Sequence, residues 1–457
     1  MPRRTCATRR STPKRTGRPT RTGSRRRPSR PRRSLPGLIW KNWTGDQRCA
    51  PERLERPATE AALCHAVAGA RRAKVAGAGH SFTDIACTDG VMIDLSAMNR
   101  VLAVEGNEVT VQSGITIREL APALAERGLA LENQGDVDAQ TVAGAISTAT
   151  HGTGGRFANI SSQVTGVRLV SAAGEVVQFR DGDDLLAARV SLGALGAISA
   201  VTLRCVPAFT IHRVDRPLPL DDVLARLDEH VDSTDHFELF VFPYTRTALT
   251  LSSQRTDSEP RPPGRARVLL RDVLLENAAL EAASRAGRRF PALIPRVNRA
   301  LVRAMSPAEH LDRSHRVYAN RRSVRFTEME YAIPRERTAE ALERVLALIE
   351  RRRLPVGFPI EVRVVAPDDA LLSTAHGRPT GYLAVHLYRG MEFESYFRAV
   401  EAIMDEYDGR PHWGKRHYQS AATLRPRYPG FDRFLAVRDR LDPERKFENE
   451  YLRRVLG

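Results

Sequence analysis

Cysteine is scarce in this chain and is never paired by spacing. Cys6, Cys49, Cys64, Cys87 and Cys205 form no CxxC and no zinc-type arrangement, which argues against a structural metal site and leaves reduced thiols in a cytoplasmic protein as the expectation. A membrane-spanning run is also missing. A span needs about 20 nearly unbroken apolar residues, and the longest candidate, Val190 to Val206, is broken by Gly193, Gly196, Arg204 and serines. It reads instead as a turn feeding a buried strand. No internal repeat is found. Acidic residues are absent from the first 35 positions, which hold 14 of the 71 Lys and Arg residues. The formal net charge of +17 is therefore concentrated at the N-terminus, and the remainder is close to neutral.

With almost no apolar residues, segment 1–36 cannot offset the entropy of ordering and is expected to be disordered. Such a tail suits non-specific binding to nucleic acid or an anionic surface, a targeting role, or a reading frame extended upstream of the true start. The last, or a bland solvated tail, is the favoured reading. Arg3-Arg4 and Arg9-Arg10 are followed by no apolar segment, which argues against a secretory signal. The body carries no RRM, zinc-finger or helix-turn-helix signature, so no specific nucleic-acid partner is expected.

What is present is ordinary for a globular enzyme: 457 residues, 42% hydrophobic and 27% charged, enough for two domains and a returning segment. Glu60 to Arg72 has helical periodicity, and Lys74–Ala76, Val91–Leu95 and Val109–Gln112 read as strands. Thr116 to Gly128 reads as a helix with Thr116 as N-cap and Glu119 three residues on. Gly166–Val170 and Glu175–Phe179 suggest a hairpin, and Val201–Val206 a strand stopped by Pro207. Strand-like alternation returns at 323–332, 360–366 and 385–388, with helices at 335–352 and 390–407; 255–311 is Arg/Pro-rich and irregular with helical stretches. The expected domains are 37–207, 208–410, and a segment 411–457 that folds back on the first.

Three glycine-rich stretches stand out. Val75-Ala76-Gly77-Ala78-Gly79-His80-Ser81 would let successive backbone N–H groups converge on a pyrophosphate, yet it is no Rossmann fingerprint, because GxGxxG is absent. Taken alone it is a plain turn with a solvated histidine. Thr148-Ala149-Thr150-His151-Gly152-Thr153-Gly154 suits backbone contact with a flat ring or phosphate, though a lone His151 is more often structural. Ser191-Leu192-Gly193-Ala194-Leu195-Gly196-Ala197-Ile198 alone would be core packing.

Together and in this order, the stretches resemble the vanillyl-alcohol-oxidase-type FAD fold. His412-Trp413-Gly414-Lys415 and Glu361-x-Arg363 narrow the resemblance to the aldonolactone oxidoreductases, which include L-gulono-1,4-lactone oxidase or dehydrogenase, D-arabinono-1,4-lactone oxidase and, more distantly, alditol oxidase. It spans roughly residues 38–455. The resemblance implies an α+β protein: a two-subdomain PCMH-type FAD-binding domain plus an α+β substrate (cap) domain with an antiparallel sheet. It implies FAD bound covalently through His80, with Val75 to Ser81 around the pyrophosphate. Thr141, Gly144, Thr148, Ala149, Thr150 and His151 would lie along the isoalloxazine and ribityl chain, Ile198 at the adenine end, and His412 against the flavin. Gly135 matches the position that gates oxygen, where glycine leaves space and alanine hinders it.

Glu361 and Arg363 sit two apart on an apparent strand and can share one cleft, although a solvated surface pair is the commoner fate of such residues. The resemblance implies that Arg363 and Lys415 stabilise charge on lactone oxygens. Glu361 would orient hydroxyls and help remove a proton, and His386 would lie on the substrate side. The implied reaction is oxidation at C2 of an aldono-1,4-lactone, hydride passing to flavin N5, to give an ascorbate-like product. Oxygen, a cytochrome or another acceptor would complete the cycle, in the cytoplasm or at a membrane periphery. Alternatives are an alditol oxidase, against which Asp136 counts because that branch carries a small hydroxyl residue there; a tail-driven nucleic-acid binder; and a catalytically silent relative. The retention of His80, Glu361, Arg363 and Lys415 argues against the last. The preferred lactone and the oligomeric state are left open.

Overall fold

Strand by strand, the second half of the chain places its apolar residues at every other position, and this alternation organises the molecule. The computed structural model describes residues 38–262, 264, 278–319 and 324–457; the tail read as disordered lies outside the described residues, as does part of the Arg/Pro-rich stretch. An eight-stranded antiparallel sheet runs in the order Ala308–Arg313, Thr210–Pro219, Thr247–Thr256, His236–Val241, Ile360–Val365, Thr380–Tyr388, Phe326–Pro334 and Arg410–Pro411. Phe237, Leu239, Val241, Met329, Tyr331, Ile333, Ile360, Val362, Val364, Leu383, Val385 and Leu387 all belong to one core. Helices Thr338–Arg351 and Glu394–Asp405 cover it with Leu342, Val345, Ile349, Phe397 and Val400. Each such side chain contributes about 2 kcal/mol through burial. Because successive side chains on a strand point to opposite faces, the alternate set turns to the other side: Glu238, Glu328, Glu330, Glu361, Arg363 and His386.

The first half builds two smaller sheets. Arg53–Glu55, Val91–Asp94 and Ala73–Ala76 pair in parallel, and helix Glu60–Ala68, N-capped by the Thr59 side chain, packs Leu63 and Val67 into the same cluster. Five antiparallel strands follow in the order Val176–Phe179, Val164–Val170, Ala197–Arg204, Glu108–Gln112 and Val101–Glu105. Helix Ile117–Ala125 opens with a full Thr116/Glu119 capping box. The Val190–Val206 stretch is a turn and then a buried strand, Ala197–Arg204. Trp413, Phe431, Phe434, Tyr451, Leu452 and Val455 join the core built by residues 85–203, which places the C-terminal segment against the first half.

Two seams bring the halves together. Gly154 N–H donates to the Val364 carbonyl at 2.7 Å, and Ala366 N–H to Phe157 O at 2.9 Å, so the second glycine-rich stretch lies along strand Ile360–Val365. His412 N–H donates to Glu330 O and Arg416 N–H to Glu328 O, while Phe82 N–H reaches Gly414 O and Trp43 N–H reaches Gly79 O. The His80 loop and the His412–Lys415 turn are therefore tied to the charged face of the large sheet. Residues 38–457 form one compact unit.

Candidate active site

Two adjoining cavities meet at His80, Ser81, Gln140 and Thr148. The inner one, about 280 Å³, is lined by Val75, Ala76, Gly77, Ala78, Gly79, Thr141, Gly144, Ser191–Gly193 and Ile198. The first and third glycine-rich stretches, far apart in sequence, thus share one slot, which the second reaches through Thr148. Local chemistry explains its shape. A Cβ on Gly77 would meet Thr141 Oγ1 at 2.7 Å, and Gly79 has φ +70°, a region costly for residues with a side chain. Thr141 caps helix Val142–Ser147. Buried Lys74 donates to the carbonyls of Leu192, Gly193 and Phe447, and burial pushes its pKa down to about 7. This amine anchors the third glycine stretch together with the Leu192 N–H to Ser147 O bond and the Ser147–Ser191 hydroxyl pair.

The outer cavity, about 470 Å³, is lined by His80, Gly135, Asp136, Thr148, Thr150, His151, Phe326, Glu328, Glu361, Arg363, His412 and Lys415 among others. Arg363 is its hub: it pairs with Glu361, with Glu238 at 2.9 Å and with Asp136 at 3.6 Å. Burial opposes the guanidinium charge, but these carboxylates outweigh it and hold its pKa well above the ordinary value. For Glu238, burial among acids prevails over Arg363 and raises the pKa. Lys415 Nζ lies 2.7 Å from Glu328 and 2.8 Å from Glu330. Desolvation works against all three charges, yet their attraction keeps Lys415 protonated and both carboxylates well below their usual range.

Histidines close this network. His151 Nε2 lies 3.1 Å from Glu330, its Nδ1 faces the Gly152 carbonyl, and its ring stacks on Tyr382 at 3.6 Å. Gly414 N–H donates to His412 Nδ1, leaving the proton on Nε2; burial and Lys415 push the His412 pKa down to about 3. The neighbouring Trp413 turns inward and donates to Leu372 O at 2.7 Å. His151, Glu330 and His412 place ligand atoms within 4.8 Å of one another, but the Lys415 ammonium already fills the cationic role beside Glu330.

Most residues singled out from the sequence reach one cavity or the other. Two do not. Ala149 has φ +56° and is fully buried in the core below the slot. His386 stands behind Glu328, with Nε2 3.2 Å from it, Nδ1 at Pro359 O and the ring edge-on to Phe326. Glu238, Glu328, Glu330, Trp43 and Phe326 escaped sequence reasoning. Glu328-x-Glu330 alternates within Phe326–Pro334 just as Glu361-x-Arg363 does, and that was the available signal.

The pocket fits a flavin dinucleotide on its own terms. His80 Nδ1 is buried without a side-chain partner at the junction of the cavities, its ring stacked on Trp43 at 5.6 Å, and burial lowers its pKa, which favours the neutral imidazole.

Comparison with known proteins agrees. The D-arabinono-1,4-lactone oxidase family model matches residues 201–455 and an FAD binding domain model matches 51–180. L-gulono-1,4-lactone dehydrogenase of Mycobacterium tuberculosis is 59% identical over 426 residues, covering 92% of this chain and 99% of its own. L-gulonolactone oxidase of Bos taurus is 35% identical, covering 92% and 98%. Among solved structures, cholesterol oxidase from B. sterolicum superposes with a TM-score of 0.78 at 17% identity over 92% of this chain and 97% of that one, a likeness of fold. This chain belongs to the D-arabinono-1,4-lactone oxidase family and is an FAD-linked oxidoreductase of the PCMH-type fold.

Proposed function

We propose that the enzyme oxidises the C2 hydroxyl of an aldono-1,4-lactone of the L-gulono or D-arabinono type, with FAD attached through His80, giving an ascorbate-like product. The carrying observation is the charge balance of the outer cavity. Asp136, Asp138, Glu328 and Glu361 line it against Arg118, Arg363 and Lys415. Four carboxylates against three cations disfavour anionic substrates, whereas a neutral hydroxyl-rich molecule finds both acceptors and donors. Bound FAD supplies the two-electron acceptor. Arg363, whose Nε and Nη2 are fixed by its three carboxylates, holds positive charge against lactone oxygens; Lys415 adds a point charge; Glu361 accepts the proton of the reacting hydroxyl. His386 acts through Glu328 on Lys415. An open-chain polyol is the weaker fit, because Asp136 is engaged with Arg363.

Gly135 supports oxygen as one electron acceptor. A Cβ there would press on His151 O at 3.0 Å and Thr150 Cγ2 at 3.2 Å, shifting the stretch that lines the cavity. Gly135→Ala is expected to slow reoxidation by oxygen more than turnover with an artificial dye, measured by paired oxygen-electrode and dye-reduction assays. For location, no helix among the described residues is long and apolar enough to cross a membrane and the four described cysteines are free, which supports a cytoplasmic or membrane-peripheral enzyme.

The main test is a spectrum of acid-precipitated protein with turnover on L-gulono-1,4-lactone, D-arabinono-1,4-lactone and xylitol. Flavin colour should stay in the wild-type pellet, leave it in His80→Ala, and be bleached by a lactone. Release of all flavin from wild type overturns the covalent link, and preference for xylitol overturns the substrate class.

A further inference from the structure

Helix Ala278–Arg289, a short turn at Pro291–Leu293 and helix Ile294–Ala304 form a helical hairpin with no part in the cavities' charged network. Its inner face is firmly seated. Leu280 packs on the aromatic cluster of Phe82, Phe326, Phe358 and Tyr388. Glu281 accepts from the Tyr388 hydroxyl at 2.7 Å. Ile294 is buried, and Asn298 donates to Pro243 O and Val356 O.

The outer face is of another kind. Arg285, Arg289, Arg296, Arg299 and Arg303 are exposed there, with small alanines between them and no exposed carboxylate from 278 to 305. Of these, only Arg285 has an acidic partner among the described residues, Glu281; Arg289 stacks on Phe290, and Arg299 bonds its own helix at Pro295 O. At the tip, Phe290 is 53% exposed and Leu293 39% exposed, two of only seven large apolar side chains exposed among the described residues. Bulky apolar groups left in water at the tip of a basic helical surface match the acyl boundary and headgroups of a bilayer, which take up the apolar and cationic parts together.

We propose that this hairpin is a docking surface for an anionic lipid membrane: Phe290 and Leu293 enter the acyl boundary while Arg289, Arg296, Arg299 and Arg303 face lipid phosphates. Charge complementarity and the exposed apolar tip select this occupant. Nucleic acid would use the arginines but leave Phe290 and Leu293 without a role. Because Leu280 joins the cluster that includes Phe326, a wall of the outer cavity, docking would hold that cavity close to the lipid surface.

The test is hydrogen–deuterium exchange of the full-length holoenzyme with phosphatidylglycerol/phosphatidylcholine vesicles, phosphatidylcholine vesicles, or a short DNA duplex. Anionic vesicles should slow exchange across 284–305 about ten-fold, and the other two should not. The double variant Phe290→Asp, Leu293→Asp and the triple variant Arg296→Glu, Arg299→Glu, Arg303→Glu should each lose this protection while keeping wild-type lactone turnover in solution. Vesicle binding without protection at 284–305, as the basic N-terminus alone would give, overturns the proposal. So does equal protection by DNA, protection that survives both variants, or no vesicle binding.

Discussion

At the scale of single residues, the site depends on how charges are held. Arg363 cannot swing away, because three carboxylates from separate segments grip it; a lysine would keep the charge but lose the fork. Arg363→Lys is expected to lower kcat/KM for a lactone by about 100-fold, measured by initial rates, with the folded state preserved by circular dichroism. The sequence made part of this visible. Glu361 and Arg363 could be placed together because they share a strand and a parity. Glu238 could not, since nothing local says that its strand lies beside theirs; the link is the Glu238–Arg363 pairing across the sheet. His386 was placed on the substrate side by the resemblance alone, and nothing local shows that Glu328 stands between it and the cavity.

At the scale of elements, caps and turns position the flavin slot. Asn449 accepts from Leu452 N–H to start helix Glu450–Leu456, and its amide donates to the carbonyls of Asp84, Ile85 and Cys87, just past the His80 loop. Asn449→Ala should cost about 2 kcal/mol, a lost cap plus orphaned carbonyls, read as a lower urea midpoint together with weaker flavin retention. The Thr116/Glu119 cap was legible because its signal lies within four residues. The tie from Asn449 to the His80 side was not, since the carbonyls its amide holds lie more than 360 positions away.

At the scale of the whole molecule, buried histidines set the acid limit. His236 sits between Thr153 O and the Tyr318 hydroxyl, and burial lowers its pKa from 6.5 to about 4. A depressed histidine favours the fold while neutral. That contribution is complete above pH 6.5 and is lost as pH falls toward 4. Asp368, pushed up by burial to about 6, works in the opposite sense and partly offsets the loss. Melting temperature should decline as pH falls from 6.5 to 4, and His236→Gln should show a shallower decline, measured by calorimetry at stepped pH. The large sheet has a longer-range consequence. Its apolar side and its charged side are written in the same strands at alternating positions, so tolerance to mutation should rise and fall with a two-residue ripple. Lineages of this enzyme could exchange one lactone for another by drifting at one parity alone, while the opposite parity goes on specifying the scaffold.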